Sequence, residues 1–186
     1  MPEVPMVRLA RSGDVARVED LLAEAAAYAR ERGFEQWPER FSTEFVAFGV
    51  ERGEVHVAEL DGRVMACCWL LWQDLEFWGQ DDGRAGYLHR LAAADRSRGT
   101  GLGRELLIWA QREVATAGRD YLRLDCLAAN RRLRRWYESL GFVHVRDRVM
   151  APAADGSRPR ALRVSLYQVE VHPPAGQRRA GARPDS

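Results

Sequence analysis

The sequence predicts a mixed α/β protein, and three patterns carry this prediction. Short apolar, β-prone runs alternate with runs in which apolar residues recur every three or four positions, as they do on one face of a helix. Asp61-Gly62 separates two β-prone runs and suits a two-residue hairpin turn with positive φ. A glycine-rich turn, Arg98 to Gly103, joins a strand-like run to a helical run. Together these patterns favour a sheet with helices packed against it.

The predicted elements cover most of the chain in order. A short strand precedes a helix that starts at Ser12 and runs to about Arg32, and a second short helix follows Pro38. Strands are then predicted at 54–60, 63–72, 87–93, 121–127, 142–150 and 161–169, and helices at 104–116 and 131–139. The last segment has no apolar period. We therefore expect one domain over residues 1–170 and a disordered tail over 171–186.

The composition fits one domain and excludes several classes of protein. The 186 residues, 46% of them hydrophobic, are enough for a single core. With 28 Lys and Arg against 27 Asp and Glu, the net charge is +1, so we expect no nucleic-acid partner. No apolar run is long enough to span a bilayer, so we expect no membrane partner. Cys67, Cys68 and Cys126 do not form a disulfide pattern, which predicts a cytoplasmic protein.

The glycine-rich turn is the strongest functional signal. Gly99, Gly101 and Gly103 stand where the backbone must bend sharply or approach a ligand closely. Peptide N–H groups and the positive end of the helix dipole meet at such a turn, which suits a pyrophosphate. The letters match neither a Walker loop, which needs Gly-Lys before Ser or Thr, nor G-x-G-x-x-G, because position 104 is Arg. A turn that merely starts a helix is the alternative.

Two stretches resemble the signatures of one enzyme family. Arg98-x-x-Gly101-x-Gly103, preceded by Leu88 to Ala93, resembles the acetyl-CoA signature of the GNAT superfamily of N-acetyltransferases. Further along the chain, Asn130 to Phe142 is similar to the second signature of that family. The resemblance covers roughly residues 63–149, in the family's order and spacing. It implies a GNAT-type fold: a mixed, mostly antiparallel sheet of about seven strands with helices on both faces.

The resemblance also implies acetyl-CoA as the acyl donor, without a metal ion. The main chain of Leu91, Ala92 and Ala93 would bind the pantetheine arm, and Asn130 would help to hold it. The pyrophosphate would lie against the backbone N–H groups of the turn, whose residues are Arg98, Gly99, Thr100, Gly101, Leu102, Gly103 and Arg104. Asn130 is equally well placed as a plain helix N-cap. The side chains of Arg98 and Arg104 could add positive charge at the pyrophosphate, and they are equally consistent with solvated surface groups.

The reaction implied by the resemblance is attack of a primary amine on the thioester. An alkyl ammonium has a pKa of about 10.4, so a base, or selection of the neutral minority, must supply the nucleophile. Tyr137 matches the family's tyrosine general acid, although its helical spacing also predicts a core aromatic. His89 is the candidate base, since its unperturbed pKa lies near 6.5. The alternatives are a water chain and four side chains, Asp74, Glu76, Tyr87 and Asp125.

The acceptor is the least defined part of the prediction. Phe34 and Trp37 are either core contacts or one wall of an acceptor pocket, and the acidic residues at 74–82 either favour a cationic acceptor or are simply solvated. Four arginines at 131–135 form a solvated face or contact the ribose phosphate of CoA. We expect a small-molecule amine acceptor. The alternative is a non-catalytic acyl-CoA-binding sensor or scaffold module, and homodimer formation is left open.

Overall fold

One seven-stranded sheet organises the part of the chain that the computed structural model describes, residues 5–79 and 82–172. Its strands are Met6–Leu9 (β1), Val55–Leu60 (β2), Arg63–Leu71 (β3), Ala85–Ala93 (β4), Tyr121–Leu127 (β5), Val143–Met150 (β6) and Leu162–Glu170 (β7). They lie in the order β1-β2-β3-β4-β5-β7-β6. β4 and β5 run parallel, and every other neighbouring pair is antiparallel. The predicted mixed, mostly antiparallel sheet is confirmed.

Helices pack against both faces of this sheet. They are Val15–Arg30 (α1), Thr43–Glu51 (α2), Leu75–Trp78 (α3), Leu102–Thr116 (α4) and Arg131–Ser139 (α5). Trp69 of β3 contacts Phe45 of α2, with 6.2 Å between ring centroids. The next residue, Leu70, lies on the other side, where Gly86 of β4 approaches Val114 of α4. Because successive strand residues point to opposite faces, α2 and α4 cover opposite faces, as predicted.

Local signals in the sequence place several elements correctly. Asp61 and Gly62 have φ of +49° and +68°, as a two-residue hairpin turn requires. The first helix is preceded by a 3-10 turn at Ser12–Asp14. The short helix α3 is absent from the sequence prediction because one turn is too short for an apolar period. It begins where the Asp74 carboxylate accepts a hydrogen bond from the backbone of Phe77, at 3.1 Å.

The packed chain continues slightly beyond the predicted domain end at residue 170. Val171 is buried, and its N–H donates to the carbonyl oxygen of Asp120 at 2.8 Å. Placing Val171 in a disordered tail was therefore wrong, because an apolar side chain and a backbone hydrogen bond hold it against the sheet. Residues 173–186, the rest of the predicted tail, lie outside the described residues.

The three cysteines are buried and unpaired. Burial raises the pKa of the Cys67 and Cys126 thiols to about 12, so both stay protonated at neutral pH. Among the helices of the described ranges, none has the length and apolar character to cross a membrane.

Strands β4 and β5 separate part-way along their length. Their parallel pairing runs from Ala85 opposite Tyr121 to Leu88 opposite Leu124. Beyond that point β4 continues in contact with β3, and β5 continues in contact with β7. A cleft therefore opens in the middle of the sheet, and residues after Leu88 border it on one side.

Candidate active site

A cavity of about 380 Å³ fills the cleft between the separated strands. Its walls include Leu91 of β4 and Cys126 of β5. Its lining also includes Gly103, at the start of α4, and Trp37 and Ser157, which lie in two loops. The glycine-rich turn and the two loops therefore border one cavity. Its volume lies in the range of small-molecule sites.

The cavity collects only part of the predicted site. Both predicted catalytic residues, His89 and Tyr137, line it, and so do four of the predicted cofactor residues, Leu91, Ala93, Arg98 and Gly103. Ala92 and Leu102 are buried in the hydrophobic core instead. The side chain of Asn130 caps α5 by accepting a hydrogen bond from the backbone of Leu133 at 3.1 Å. The predicted N-cap is confirmed, and its cofactor role stays a prediction.

Four backbone N–H groups of the glycine-rich turn lack a hydrogen-bond partner within the described part of the chain: those of Gly99, Gly101, Leu102 and Gly103. Gly99 and Gly101 have φ of +79° and +93°, which turns the backbone into the first turn of α4. The positive end of the helix dipole lies at the same place. Unpaired donors and the helix dipole together give this turn the features of an anion-binding site.

The remaining amides of the turn are engaged within the protein. Arg98, Thr100 and Arg104 donate their backbone N–H groups to Asp95, Ser97 and Gly101 respectively, at 3.2, 3.2 and 2.9 Å. These three amides close tight turns, and the pyrophosphate-binding role of residues 98–104 stays a prediction. Their neighbours supply the free donors.

The two arginine side chains of the turn differ in placement. Arg98 forms an ion pair with Asp95 and lies over the Tyr28 ring, with Cζ 3.8 Å from the ring centroid. Arg104 is exposed, and its nearest carboxylate is that of Glu105 at 3.7 Å. Arg98 is held in place at the cavity wall, whereas Arg104 is a solvated side chain.

His89 lies between two carboxylates in the cavity wall. Its Nε2 is 3.0 Å from Oδ2 of Asp74, and its Nδ1 is 3.3 Å from Oδ1 of Asp125. Asp74 is fixed in turn as the N-cap of α3. Burial on its own would lower the pKa of His89, but the two carboxylates outweigh this and raise it to about 9. At neutral pH His89 therefore carries its proton.

Tyr137 borders the cavity from the inner face of α5. Its ring packs against Trp136, Phe142 and Tyr167, with centroids 5.1, 5.7 and 6.2 Å away. The hydroxyl has no hydrogen-bond partner in the described ranges, 5–79 and 82–172. Burial raises the pKa of Tyr137 well above its usual value, with Cys126 and Asp125 adding to the effect. Tyr137 is therefore a buried proton donor facing the cavity.

The cavity lining also contains loop residues that the sequence did not identify. Arg158, in the loop before β7, forms an ion pair with Glu76 at the cavity wall. Trp37 lines the cavity and also packs edge-on against Phe41 of the core, so the structure is consistent with both of its predicted roles. Asp155 borders the cavity from the same loop as Arg158. Irregular loops carry no periodic signal, so their part in a site is not readable from spacing.

Arg90 is a further cavity residue that the sequence did not identify. It follows His89 in β4 and has a φ of +51°, which is uncommon for a residue with a side chain. The β3–β4 register shifts beside it, between Cys67 and Trp69. No residue pattern announces such a bulge, so its effect on the site is visible only in the structure. In the described ranges, no group of three or more His, Cys, Asp or Glu side chains is placed to hold a metal ion.

Comparison with known proteins identifies the family. The model of the acetyltransferase (GNAT) family matches residues 18–142 of this chain. The chain belongs to the GNAT acetyltransferase family. Among curated GNAT relatives, it is similar to the uncharacterized N-acetyltransferase YesJ of Bacillus subtilis (strain 168). The two are 32% identical over 138 residues, which cover 69% of this chain and 76% of YesJ.

Solved GNAT structures share the fold. A GNAT-family acetyltransferase from Listeria monocytogenes 4b F2365 superposes with a TM-score of 0.70, at 24% identity, over 90% of this chain and 95% of that one. A putative acetyltransferase of Salmonella typhimurium, yncA, solved with its cofactor acetyl-CoA, superposes with a TM-score of 0.65, at 21% identity, over 99% of each chain. At these identities the likeness shows the common fold.

Proposed function

We propose that this GNAT protein is an N-acetyltransferase that moves an acetyl group from acetyl-CoA to a primary amine by direct attack on the thioester. The observation that carries the proposal is the glycine-rich turn with its four unpaired N–H groups, because one of its residues, Gly103, lines the same cavity as Tyr137. Family membership and the acetyl-CoA bound by the Salmonella relative support the donor. The three unpaired cysteines support a cytoplasmic setting.

The separated edge of β4 supports the placement of the donor. From residue 89 onward, β4 pairs only with β3 among the described strands. Backbone groups on its other edge therefore face the cavity. The amide groups of a pantetheine arm could form hydrogen bonds with these backbone groups, as an additional strand does at the edge of a sheet. The cavity-lining Leu91 and Ala93 lie on this edge, between the glycine-rich turn and His89. A bound acetyl-CoA would supply the activated acyl group at this edge.

The two halves of the proton balance fall to different residues. Tyr137 keeps its proton at all working pH values and lines the cavity with Cys126, so we assign it protonation of the departing thiolate. The proton that the nitrogen loses after its attack restores the Tyr137 hydroxyl. We assign uptake of the ammonium proton to His89 in its neutral form; because both ring nitrogens face carboxylates, this proton would reach His89 through Asp74 or Asp125. Because His89 is protonated at neutral pH, this form becomes abundant only as the pH approaches about 9. Positioning of amine and thioester supplies the remaining rate enhancement.

The assignment to His89 predicts that a group of the enzyme controls the rising limb of the pH profile. The kcat/KM for the acceptor should rise with pH to a plateau, with an apparent pKa near 9. This apparent pKa should not change when the acceptor is replaced by a less basic amine. In Asp74→Asn the limb should move to lower pH, since one of the carboxylates that raise the pKa of His89 is lost while asparagine still caps α3. A limb that follows the pKa of each acceptor instead would remove His89 as the base.

The overall proposal is tested by following release of the CoA thiol from acetyl-CoA in the presence of amines, amino acids, peptides and aminoglycosides. We expect thiol release that depends on both the amine and the protein, with the acetylated amine confirmed by mass spectrometry. Calorimetric titration with CoA provides a parallel measurement. Binding of CoA without turnover on any acceptor would instead support a non-catalytic acyl-CoA-binding module, and absence of CoA binding would refute both functions.

A further inference from the structure

Arg90 is brought into the cavity by the bulge in β4. In a regular strand His89 and Arg90 would point to opposite faces. Here the positive φ of Arg90 and the register shift place both side chains in the cavity wall. The Arg90 guanidinium also contacts Trp69, which is paired with His89 in the neighbouring strand and so shares its face. The backbone thus adopts an uncommon conformation that turns a cation toward the ligand space.

Within residues 5–79 and 82–172, this cation has no ion-pair partner. Every other cationic side chain of the cavity wall forms an ion pair; the pairs are His89 with Asp74 and Asp125, Arg98 with Asp95, and Arg158 with Glu76. Arg90 makes neither an ion pair nor a hydrogen bond with any residue that the structure describes. Its five N–H donors are therefore available to a ligand.

The surroundings of Arg90 are aromatic. Its Cζ lies 4.7 Å from the ring centroid of Phe45, 5.5 Å from that of Trp69 and 5.8 Å from that of Phe41. Burial lowers the pKa of Arg90, and the carboxylates of Asp125, Asp155 and Glu76 only partly offset this. Contact with rings stabilises a cation but satisfies none of its hydrogen bonds. A desolvated, unpaired guanidinium is costly, and an incoming anion would remove that cost.

The donor does not supply this anion. The phosphates of acetyl-CoA belong at the glycine-rich turn, and the acetyl and pantetheine parts that would lie along Leu91 and Ala93 are uncharged. The remaining ligand is the acceptor. We propose that Arg90 binds an anionic group of the acceptor, so that the substrate is a small amine that also carries a carboxylate or a similar anion. This inference rests on the proposed acetyltransferase function and names the substrate class of that same site.

The cavity brings the two groups that the acceptor would use into one space. His89 and Arg90 both line it. A small acceptor that carries an amine and an anionic group would therefore have its charged groups in the same cavity as both side chains. Amino acids with a free α-amino and α-carboxylate group have this form. The planar guanidinium suits such a carboxylate because it can form two parallel hydrogen bonds.

Matched acceptor pairs test the proposal in the unaltered protein. Each free amino acid, with β-alanine and an aminophosphonate added, is compared with its carboxamide and with the decarboxylated amine, at saturating acetyl-CoA. We expect kcat/KM to be about 100-fold or more higher for the anionic member of the preferred pair. The carboxamide has the less basic amine and thus the larger neutral fraction, so this preference cannot arise from amine ionisation. The phosphonate arm shows whether the site accepts anions other than carboxylate.

Substitution of Arg90 connects the preference to this side chain. Arg90→Met keeps an unbranched apolar stem against the rings and should lower kcat/KM for the anionic acceptor about 100-fold while leaving the carboxamide within about threefold. Arg90→Lys should retain part of the preference, because charge remains without the paired donors. The KM for acetyl-CoA should not change. Arg112→Met, at an exposed position of α4 away from the cavity lining, is the control and should match the unaltered protein.

The outcomes separate this inference from the proposed function. Turnover of uncharged amines at rates equal to those of their anionic partners would overturn the role of Arg90 and leave the acetyltransferase assignment standing. Equal losses on both members of a pair in Arg90→Met, with a lowered melting temperature, would make Arg90 a structural residue and also contradict the inference. No turnover with any amine would instead count against the proposed function.

Discussion

Tyr137→Phe should lower kcat by about 10²- to 10³-fold and leave the affinity for acetyl-CoA unchanged. The substitution removes one hydroxyl that faces the cavity and has no hydrogen-bond partner in the described part of the chain, so little stability is lost with it. What is lost is the proton for the departing thiolate, which water reaches poorly in a buried cavity. Steady-state kinetics with the best acceptor and calorimetry with CoA measure the two quantities separately.

Tyr167→Phe is the matched control for this experiment. Tyr167 is buried beside Tyr137, but its hydroxyl accepts from Arg134 Nε at 2.9 Å and donates to Glu138 at 2.7 Å, away from the cavity lining. Its loss should lower the melting temperature and leave kcat close to that of the unaltered protein. If Tyr137→Phe also retained full turnover, Tyr137 would have no part in proton transfer.

Gly101→Val should lower the affinity for CoA about 100-fold or more. Gly101 has a φ of +93°, and a β-branched residue adopts this conformation only with strain of about 1–2 kcal/mol. No protein atom lies within 4 Å of a Cβ built there, so the added side chain meets no obstacle inside the fold. The effect on binding comes from a rotated turn whose free amides no longer converge on one anion. Calorimetry with CoA and thermal unfolding of the ligand-free protein check the two effects.

Gly118→Val offers a control on the same helix. Gly118 follows the other end of α4, has a φ of +73° and likewise has no atom within 4 Å of a built Cβ. Both variants should lose similar stability, since the strain is alike. Only Gly101→Val should lose CoA affinity. Comparable affinity losses in the two variants would show that the turn acts through stability alone, and the anion-binding role would fail.

The parts of the structure that the sequence predicted well have local causes. The Asp61-Gly62 turn, the Asn130 cap and the glycine-rich turn before α4 each follow from the conformational preference of one or two residues, although α4 begins two residues earlier than predicted. The GNAT-type sheet followed from two family signatures rather than from residue patterns alone. The sequence therefore predicted the glycine-rich turn, the proposed donor end of the site, where backbone conformation determines the geometry.

The acceptor end could not be predicted in the same way. His89, Asp74 and Asp125 belong to three separate segments of the chain. Only the fold brings the two ring nitrogens of His89 within 3.3 Å of a carboxylate oxygen of each aspartate. The raised pKa of His89 follows from that meeting, so the sequence supplied only the unperturbed value. Arg90 enters the cavity because of a backbone bulge, and arginine as a residue type does not favour positive φ.

Burial of the Cys126 thiol has a consequence for the route of acyl transfer. Its side chain borders the space in which the thioester would lie, and a thiolate there would be a nucleophile competing with the amine. With a pKa of about 12, only about one thiol in 100,000 is ionised at pH 7. In the proposed reaction, burial of this one thiol would suppress self-acylation of the protein and leave the acetyl group for the incoming amine.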